Sequence, residues 1–250
     1  MNDDLQRAAD LIRASRLSIA MTGAGISVDS GIPDFRSASG PWARFDPMEY
    51  ATIQAFRANP EKVWTMLAEM EGLVTAAKPN AGHAGLAALE EAGRLHAVIT
   101  QNIDNLHQEA GSRVVIEYHG NGKRLVCLDC RGVFDAADIA LKKEMPPRCG
   151  VCRSVLKPDV VLFGEAIPPS AARQSMELAR QCTLVLVVGT SAEVYPAGEI
   201  PVIAKDNGAA LVEINRAATR LTPFVDVSLR GSATAILPAL VNLIRQKNIA

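Results

Sequence analysis

The 250-residue sequence has almost no net charge, few aromatic residues and no long hydrophobic run. Its 26 Lys and Arg residues nearly balance 27 Asp and Glu residues, so the formal net charge is −1. Binding to nucleic acid or to an anionic membrane through overall charge requires a basic surface, so we predict neither partner. Aromatic residues make up only 4% of the chain and do not interleave with a basic stripe, which argues against base-stacking platforms.

Targeting and membrane segments are also lacking. Residues 1–15 begin acidic and alternate polar and apolar side chains, whereas a secretory signal needs a basic start and an uninterrupted apolar core. The longest apolar run, 183–189, is far shorter than the roughly 20 residues that span a bilayer, and it predicts a buried strand. We therefore expect a cytoplasmic protein without a membrane partner.

What the chain does have is an alternation of short apolar runs with helix-like apolar spacing. The spacing predicts helices at 4–15, 60–74, 81–93, 170–181, 197–206 and 233–247. The apolar runs predict strands at 17–21, 96–100, 114–117, 160–163, 184–188 and 210–214. This alternation is typical of a mainly parallel sheet covered on both faces. Residues 121–157, rich in charge, Pro and Cys, break the rhythm and predict an inserted lobe, after which the sheet resumes near Val160.

Four of the five cysteines form two pairs, Cys127-x-x-Cys130 and Cys149-x-x-Cys152. Each pair fits a tight turn that directs two thiolates at one point, and four thiolates complete a tetrahedron. No coordination position stays open for a water molecule, so the spacing predicts one structural zinc ion. Four unliganded thiols and a zinc-ribbon nucleic-acid module are the alternatives, and the balanced charge argues against the latter. Cys182 stands alone and is predicted to be a buried, inert thiol.

A glycine-rich loop follows the first predicted strand. Gly23-Ala24-Gly25-Ile26 lies where a dinucleotide site would begin, but Val28 replaces the third glycine of the dehydrogenase fingerprint. The acidic residue expected about twenty positions later is also missing. The pattern is consistent with a plain turn, or with a nucleotide bound differently from that of a hydride-transfer enzyme. Further on, Asp34-Phe35-Arg36 forms either a surface turn or a loop that covers a ligand.

Polar clusters follow three further predicted strands: Gln101-Asn102-Ile103-Asp104, His119-Gly120 and Gly189-Thr190-Ser191. The ends of parallel strands converge on one crevice in an open sheet. With the glycine loop and the cysteine quartet, in this order, the clusters resemble the sirtuin family of NAD-dependent protein deacylases. The resemblance runs from Gly23 to the last predicted helix.

The resemblance implies an α/β fold: a Rossmann-like, mainly parallel sheet domain with an inserted small lobe made of a zinc ribbon and a helical module. The Rossmann-like NAD-binding domain would comprise 1–36, 78–120 and 158–250. Residues 37–77 would form the helical module with the cofactor loop, and 121–157 the zinc-ribbon module.

The resemblance also implies a set of NAD-binding residues. The set is Gly23, Ala24, Gly25 and Ile26 at the pyrophosphate; Asp34, Phe35 and Arg36 in a mobile cofactor loop; Gln101, Asn102, Ile103 and Asp104 at nicotinamide; Gly189, Thr190 and Ser191 at phosphate and ribose oxygens; Asn215 at the adenosine ribose, with Arg216 and Ala217; and Ala233 at the adenine.

The catalytic residues implied by the resemblance are His119 as general base, with Asn102 and Asp104. In the family's reaction the acyl-lysine oxygen attacks the ribose carbon that bears nicotinamide, and the products are lysine, nicotinamide and O-acyl-ADP-ribose. A ribose hydroxyl must lose a proton near neutral pH, which suits an imidazole. From the residues alone His107 rivals His119, and the family match favours His119.

The resemblance assigns substrate contacts as well. Val160 would lie along the lysine tunnel, and the peptide would add as a strand between Phe163-Gly164-Glu165 and the segment containing Val194. Leu67 and Met70 occupy the positions of a Tyr-x-x-Arg pair found in desuccinylating relatives. The sequence therefore predicts acetyl and apolar acyl substrates and poor desuccinylation, unless both residues are simply helix core.

The leading hypothesis is an NAD-dependent protein-lysine deacylase whose partners are acyl-lysine proteins or peptides. A protein mono-ADP-ribosyltransferase would use the same cleft and the same first step. A non-catalytic NAD or ADP-ribose sensor is a third hypothesis. Asn102, Asp104 and His119 argue against a sensor, because a binding module needs no base.

Overall fold

A computed structural model describes residues 2–34, 40–138 and 144–246 of the chain. The helices are α1 (Asn2–Ala14), α2 (Pro47–Tyr50), α3 (Ile53–Ala58), α4 (Pro60–Ala76), α5 (Ala81–Glu91), α6 (Leu106–Glu109), α7 (Pro169–Gln181), α8 (Ile200–Asp206) and α9 (Ala233–Gln246). The strands are β1 (Ser18–Thr22), β2 (Ala97–Thr100), β3 (Val115–Glu117), β4 (Gly120–Cys127), β5 (Val133–Asp135), β6 (Leu156–Val160), β7 (Leu184–Val188), β8 (Ala210–Asn215) and β9 (Val227–Arg230).

The larger sheet has six parallel strands in the order β3-β2-β1-β7-β8-β9. Every residue of β1, β2 and β7 is buried, as a sheet covered on both faces requires. Strands β1 to β3 follow one another toward one edge of the sheet, and β7 to β9 follow one another toward the other edge. Their order therefore reverses between β1 and β7, and the crevice at the carboxyl ends of these two strands is where open α/β sheets bind ligands.

Helices cover both faces of this sheet. On one face, Ile12 of α1, Leu86 of α5 and Leu237 of α9 are fully buried in one hydrophobic cluster. On the other face, Ala179 of α7 and Ile200 of α8 pack in a second cluster. The predicted Rossmann-like α/β fold is thus confirmed. No helix in the described part of the chain combines the length and apolarity needed to cross a bilayer.

The small lobe joins a helical module to a three-stranded antiparallel sheet of order β5-β4-β6. Trp64 of α4 is 1% exposed and donates its indole N–H to the Leu156 carbonyl at 2.8 Å. The same cluster contains Phe56 of α3 and Cys127 and Cys149 of the quartet. The helices and the ribbon strands therefore share one core.

The strand predictions differ from the structure in two ways: one strand was misplaced, and β4, β5 and β9 were not predicted. The strand expected at 160–163 is wrong: β6 ends at Val160 and pairs antiparallel with β4, so it belongs to the small lobe. The apolar run 160–163 suggested a buried strand, whereas Pro158 and Asp159 hid the real one. The large sheet resumes only at β7. Strand β9 was not predicted, because this four-residue strand at the sheet edge alternates apolar and polar residues only briefly.

Candidate active site

The glycine loop after β1 packs directly against the end of β7. Gly25 donates its N–H to the Gly189 carbonyl at 2.8 Å, and Gly23 donates to the Val188 carbonyl at 3.1 Å. A Cβ on Gly25 would lie 2.8 Å from the Gly189 Cα, and Gly189 itself has φ +60°. Two glycines are needed here because the backbones touch. The missing third glycine does not matter, since Ala24–Ile26 forms a single 3₁₀ turn instead of a long helix.

Substituting Gly25 by Ala is expected to lower the free energy of unfolding by about 1–3 kcal/mol, because the added methyl group meets fixed backbone atoms. Gly72 is the matched control, since it lies in α4 and its added Cβ would meet nothing within 4 Å. Gly72→Ala should raise the same free energy by about 0.5–1 kcal/mol. Urea denaturation measures both. Equal stability of Gly25→Ala and the wild type would contradict the close approach.

A cavity of about 200 Å³ lies between the glycine loop, the end of β8 and the start of α9. Seven residues predicted to bind the cofactor are in its lining: Gly25, Asp34, Gly189, Asn215, Arg216, Ala217 and Ala233. Val28, Ile214, Gly231 and Ser232 complete the lining. The absence of side chains on Gly25, Gly189 and Gly231 leaves room for a ligand to approach the backbone closely, which suits a nucleotide phosphate.

Asp29 links Arg216, which lines this cavity, to Thr234 of α9. Its carboxylate accepts hydrogen bonds from Thr234 at 2.6 Å and from Arg216. The Thr234 hydroxyl, together with the Arg216 guanidinium, holds the pKa of Asp29 below its ordinary value. Sequence patterns did not single out Asp29, because its partners are about 190 and 205 positions away.

The predicted nicotinamide cluster after β2 is tied to the glycine loop through Ser27. Asn102 donates its side-chain amide to the Gly23 carbonyl and to the Ser27 hydroxyl, both at 3.1 Å. Ser27 in turn donates to Asp104 at 2.7 Å, and Asp104 is only 5% exposed. Gln101 donates to Thr190 at 2.9 Å, which links β2 to the loop after β7. Ser27 is a site residue that the sequence patterns missed.

The remaining predicted cofactor residues lie around the same loops. Ile26 is 1% exposed and fixes the 3₁₀ turn, and Asn215 donates its amide to the Thr190 carbonyl at 3.1 Å. Ile103 packs against the core of the small lobe. Ser191 follows Thr190 and is half-buried. Phe35 and Arg36 lie outside the described residues.

Two buried histidines stand behind this cluster. The rings of His83 and His107 are 4.9 Å apart, and burial lowers their pKa values to about 4 and about 3. Both are therefore neutral at physiological pH. His107 is 1% exposed and bonds Thr22 at 2.9 Å inside the core, which removes it as an alternative to His119. His83 lies 3.4 Å from Ser27 and was not predicted as a site residue.

His119 lies half-buried between β3 and β4. Its Nδ1 is 3.1 Å from the Gln101 carbonyl, which can only accept, so the proton resides on Nδ1 and the neutral ring keeps Nε2 as its basic nitrogen. Burial lowers the pKa of His119, and the bond to the Gln101 carbonyl opposes that shift. His119 is thus a neutral base at pH 7, as proton abstraction requires.

The backbone on either side of His119 is fixed against β6. The His119 carbonyl accepts from Val161 at 2.9 Å, and Gly120, at φ +79°, pairs with Val160 in the small sheet. A Cβ on Gly120 would come within 2.0 Å of the Asp159 carbonyl oxygen, so only glycine fits. This packing places Val160, the predicted tunnel residue, beside the candidate base.

The predicted substrate residues fall into a buried group in the small lobe and a more exposed group in two loops. Leu67 and Met70 of α4 pack in the small-lobe core with Val160, where Leu67 is 9% exposed. Phe163 is 47% exposed, and Val194 is half-buried in the segment after β7. Gly164, at φ +84°, turns the chain after Phe163. The Glu165 side chain points back into the protein toward Lys157 instead of outward.

The four paired cysteines come together at the far end of the small lobe. Their sulfur atoms all lie within 4.8 Å of one another, with Cys127–Cys152 at 3.4 Å and Cys130–Cys149 at 3.6 Å. A tetrahedral zinc–thiolate site with bonds of about 2.3 Å has sulfur atoms about 3.8 Å apart, so this donor set fits one zinc ion. All four positions are filled by thiolates, which makes such an ion structural.

Comparison with known proteins agrees with the fold and the order of the motifs. A model of the Sir2 family matches residues 23–196. The chain is 43% identical to an NAD-dependent protein deacylase of Thermococcus sibiricus, over 95% of each chain. It is 45% identical to NAD-dependent protein deacylase 2 of Pyrobaculum aerophilum, over 96% of this chain and 95% of the relative.

Solved structures match as well. A Sir2 homologue in complex with NAD superimposes with a TM-score of 0.91 at 42% identity, over 97% of this chain and 94% of that chain. A Sir2 variant with a deacetylated peptide and 3′-O-acetyl-ADP-ribose has a TM-score of 0.91 at 36% identity, covering 95% and 97%. With a family model spanning most of the chain and relatives matched over nearly their full length, the chain belongs to the Sir2 family, the sirtuins.

Proposed function

We propose that this protein is an NAD-dependent protein-lysine deacylase that removes acetyl and apolar acyl groups and yields lysine, nicotinamide and O-acyl-ADP-ribose. The observation that carries the proposal is the position of His119, a neutral base fixed beside Val160 and bonded to Gln101 of the cofactor cluster. The relatives' names, NAD-dependent protein deacylase and deacetylase, support it. They also favour it over an ADP-ribosyltransferase or a non-catalytic sensor.

The cavity residues would hold the cofactor. Gly25 and Gly189, which lack side chains, would let the phosphates approach the backbone closely; Asn215 would meet the adenosine ribose and Ala233 would border the adenine, with Arg216 and Ala217 beside them. Asn102 and Asp104, fixed through Ser27, would hold the nicotinamide end. When bound, NAD supplies the ribose carbon that the acyl oxygen attacks as nicotinamide leaves.

His119 would then take the proton of a ribose hydroxyl on Nε2, while its Nδ1–H bond to the Gln101 carbonyl keeps the ring in that tautomer. The loop of Asp34, Phe35 and Arg36 is proposed to cover the site, because water would otherwise hydrolyse NAD. The protein's partners are acyl-lysine proteins or peptides. A cytoplasmic location, and the lack of nucleic-acid and membrane partners, are predictions from composition.

The proposal is tested by incubating the protein with an acetyl-lysine peptide, with and without NAD, and quantifying lysine peptide, nicotinamide and acetyl-ADP-ribose. We expect deacetylation only with NAD, and one nicotinamide for each lysine freed. Deacetylation that proceeds equally without NAD would refute the proposal.

Acyl selectivity gives a second test. An acetyl-lysine peptide should be processed with a kcat/KM at least about tenfold higher than its succinyl counterpart, because the succinyl carboxylate finds no arginine among Leu67, Met70 and Val160. The neighbouring Arg44 does not substitute, since it is paired with Glu69 at the exposed rim. The double substitution Leu67→Tyr/Met70→Arg should narrow the difference by supplying a carboxylate partner.

The comparison uses one peptide sequence with the two acyl groups, so that only the pocket is probed. Leu67→Ile/Met70→Leu is the matched control, since it keeps the wall apolar and should leave the preference in place. Equal turnover of succinyl and acetyl peptides by the wild type would contradict the assigned wall.

A further inference from the structure

Lys157 is a buried lysine close to the proposed catalytic crevice. It lies in β6, and its side chain is 4% exposed. Its ammonium group donates to the carbonyls of Pro158 at 3.0 Å and Val160 at 2.6 Å, and to the Glu165 carboxylate at 3.0 Å. Three acceptors within one turn of chain satisfy all three ammonium hydrogens, as a buried lysine requires.

Glu165 connects this ammonium group to the next turn of the chain. The carboxylate oxygen that bonds Lys157 also accepts from the Leu162 N–H at 2.8 Å, while the Glu165 N–H donates to the Leu162 carbonyl at 3.0 Å. The side chain thus closes a turn over 162–165 from inside. Its role differs from the outward peptide contact that the family resemblance suggested for Glu165.

Backbone bonds hold the same segment from two other sides. The Val161 N–H bonds the His119 carbonyl at 2.9 Å, on the side of the large domain. Phe163 exchanges bonds with the helical module, donating to Ala51 at 2.8 Å and accepting from Ile53 at 3.0 Å. The Lys157–Glu165 pair shapes the chain between these two attachments. Lys157 donates to the Val160 carbonyl, and Glu165 accepts from the Leu162 N–H.

We propose that Lys157 and Glu165 are positioning residues that shape the segment 160–164 for the acyl-lysine peptide. This inference rests on the proposed deacylase function. The pair does not touch substrate; it would fix Val160 beside the lysine tunnel and present the backbone of the exposed Gly164, to which a peptide strand would add. Affinity for the peptide therefore depends on the pair.

Affinity for NAD should not depend on it. The cavity assigned to the cofactor is lined by Gly25, Val28, Asp34, Gly189, 214–217 and 231–233, whereas the polar contacts of the two side chains all lie within 157–165. A KM for peptide that changes while the KM for NAD does not is a signature that general loss of structure would not produce.

The test uses Glu165→Gln, which keeps the shape of the side chain but removes the charge opposite Lys157. We expect the KM for an acetyl-lysine peptide to rise by about tenfold or more, with the KM for NAD within about twofold of wild type. Lys157→Met should have at least as large an effect, because it leaves the carboxylate unpaired. The double substitution Lys157→Met/Glu165→Gln should raise the peptide KM no further than Lys157→Met alone, because the two side chains act as one bonded pair.

Glu49→Gln is the matched control, since Glu49 pairs with Lys62 on the exposed surface of the helical module and should leave both KM values unchanged. Thermal unfolding of Glu165→Gln verifies that the variant is folded. An unchanged peptide KM, or a parallel rise of both KM values, would overturn the inference. Failure of the wild type to release nicotinamide would instead refute the proposed function.

Discussion

Replacement of His119 by alanine is expected to lower kcat/KM for deacetylation by about 10²- to 10⁴-fold, the usual contribution of a positioned general base. The ring is half-buried, and its contacts to Gln101 and Tyr118 lie at the edge of the crevice, so the variant should remain folded. Steady-state kinetics with an acetyl-lysine peptide and saturating NAD measures the loss.

The pH profile identifies the base independently. Burial lowers the pKa of His119 below its ordinary value of 6.5, against the opposing bond to Gln101. A base acts in its unprotonated form, so kcat/KM should be constant near pH 7 and should fall only as the pH drops below 6.5. The residual activity of His119→Ala should lack this acidic limb.

His96→Ala is the matched control for His119. His96 is exposed and precedes β2 at the opposite end of the sheet, where its N–H bonds the Ser18 carbonyl. Its replacement should leave both the rate and the pH profile unchanged. Wild-type kcat/KM in His119→Ala would contradict the assignment of the base.

Removal of the zinc ion is expected to unfold the small lobe and abolish activity. Structural zinc contributes about 10–16 kcal/mol of apparent binding free energy, comparable to the whole stability of a domain. Cys127 and Cys149 belong to the core that contains Trp64, and β4 and β6 lead from the quartet directly to Gly120 and Val160. Loss of the ion therefore disrupts the wall of the crevice next to His119.

Trp64 reports this unfolding. It is 1% exposed, so chelation or Cys149→Ser should expose the indole, shift its fluorescence to longer wavelength and reduce the zinc content together with the activity. Cys182→Ala is the control, because Cys182 is buried in the large domain away from the quartet and should leave the zinc content at one ion per chain. A metal-free sample with full deacetylase activity would contradict this role.

Features that depend on local sequence could be predicted before the structure was known. The two C-x-x-C pairs predicted four sulfur atoms at one point, since each pair closes its own turn. The buried strands β1 and β7 were evident as continuous apolar runs. The cofactor residues were placed by family resemblance, and the cavity brings Gly25, Gly189 and Asn215 together as polar groups at the ends of parallel strands should be.

Features that depend on contacts between distant segments could not be predicted. Ser27 joins Asn102 to Asp104 only because the glycine loop folds over the end of β2. The inward turn of Glu165 follows from the burial of Lys157, which a charged residue in the sequence does not indicate. Strand β6 was predicted at the wrong position for a similar reason. Its pairing with β4 outweighs the poor strand preference of Pro158.

In the proposed reaction, nicotinamide leaves NAD because an acyl-lysine peptide attacks. The most direct measurement is nicotinamide release by the wild-type protein with and without an acetyl-lysine peptide, at saturating NAD. We expect release to depend on the peptide, with one O-acetyl-ADP-ribose formed per nicotinamide. Release at the same rate without peptide, together with ADP-ribose attached to protein, would contradict deacylation and indicate an ADP-ribosyltransferase.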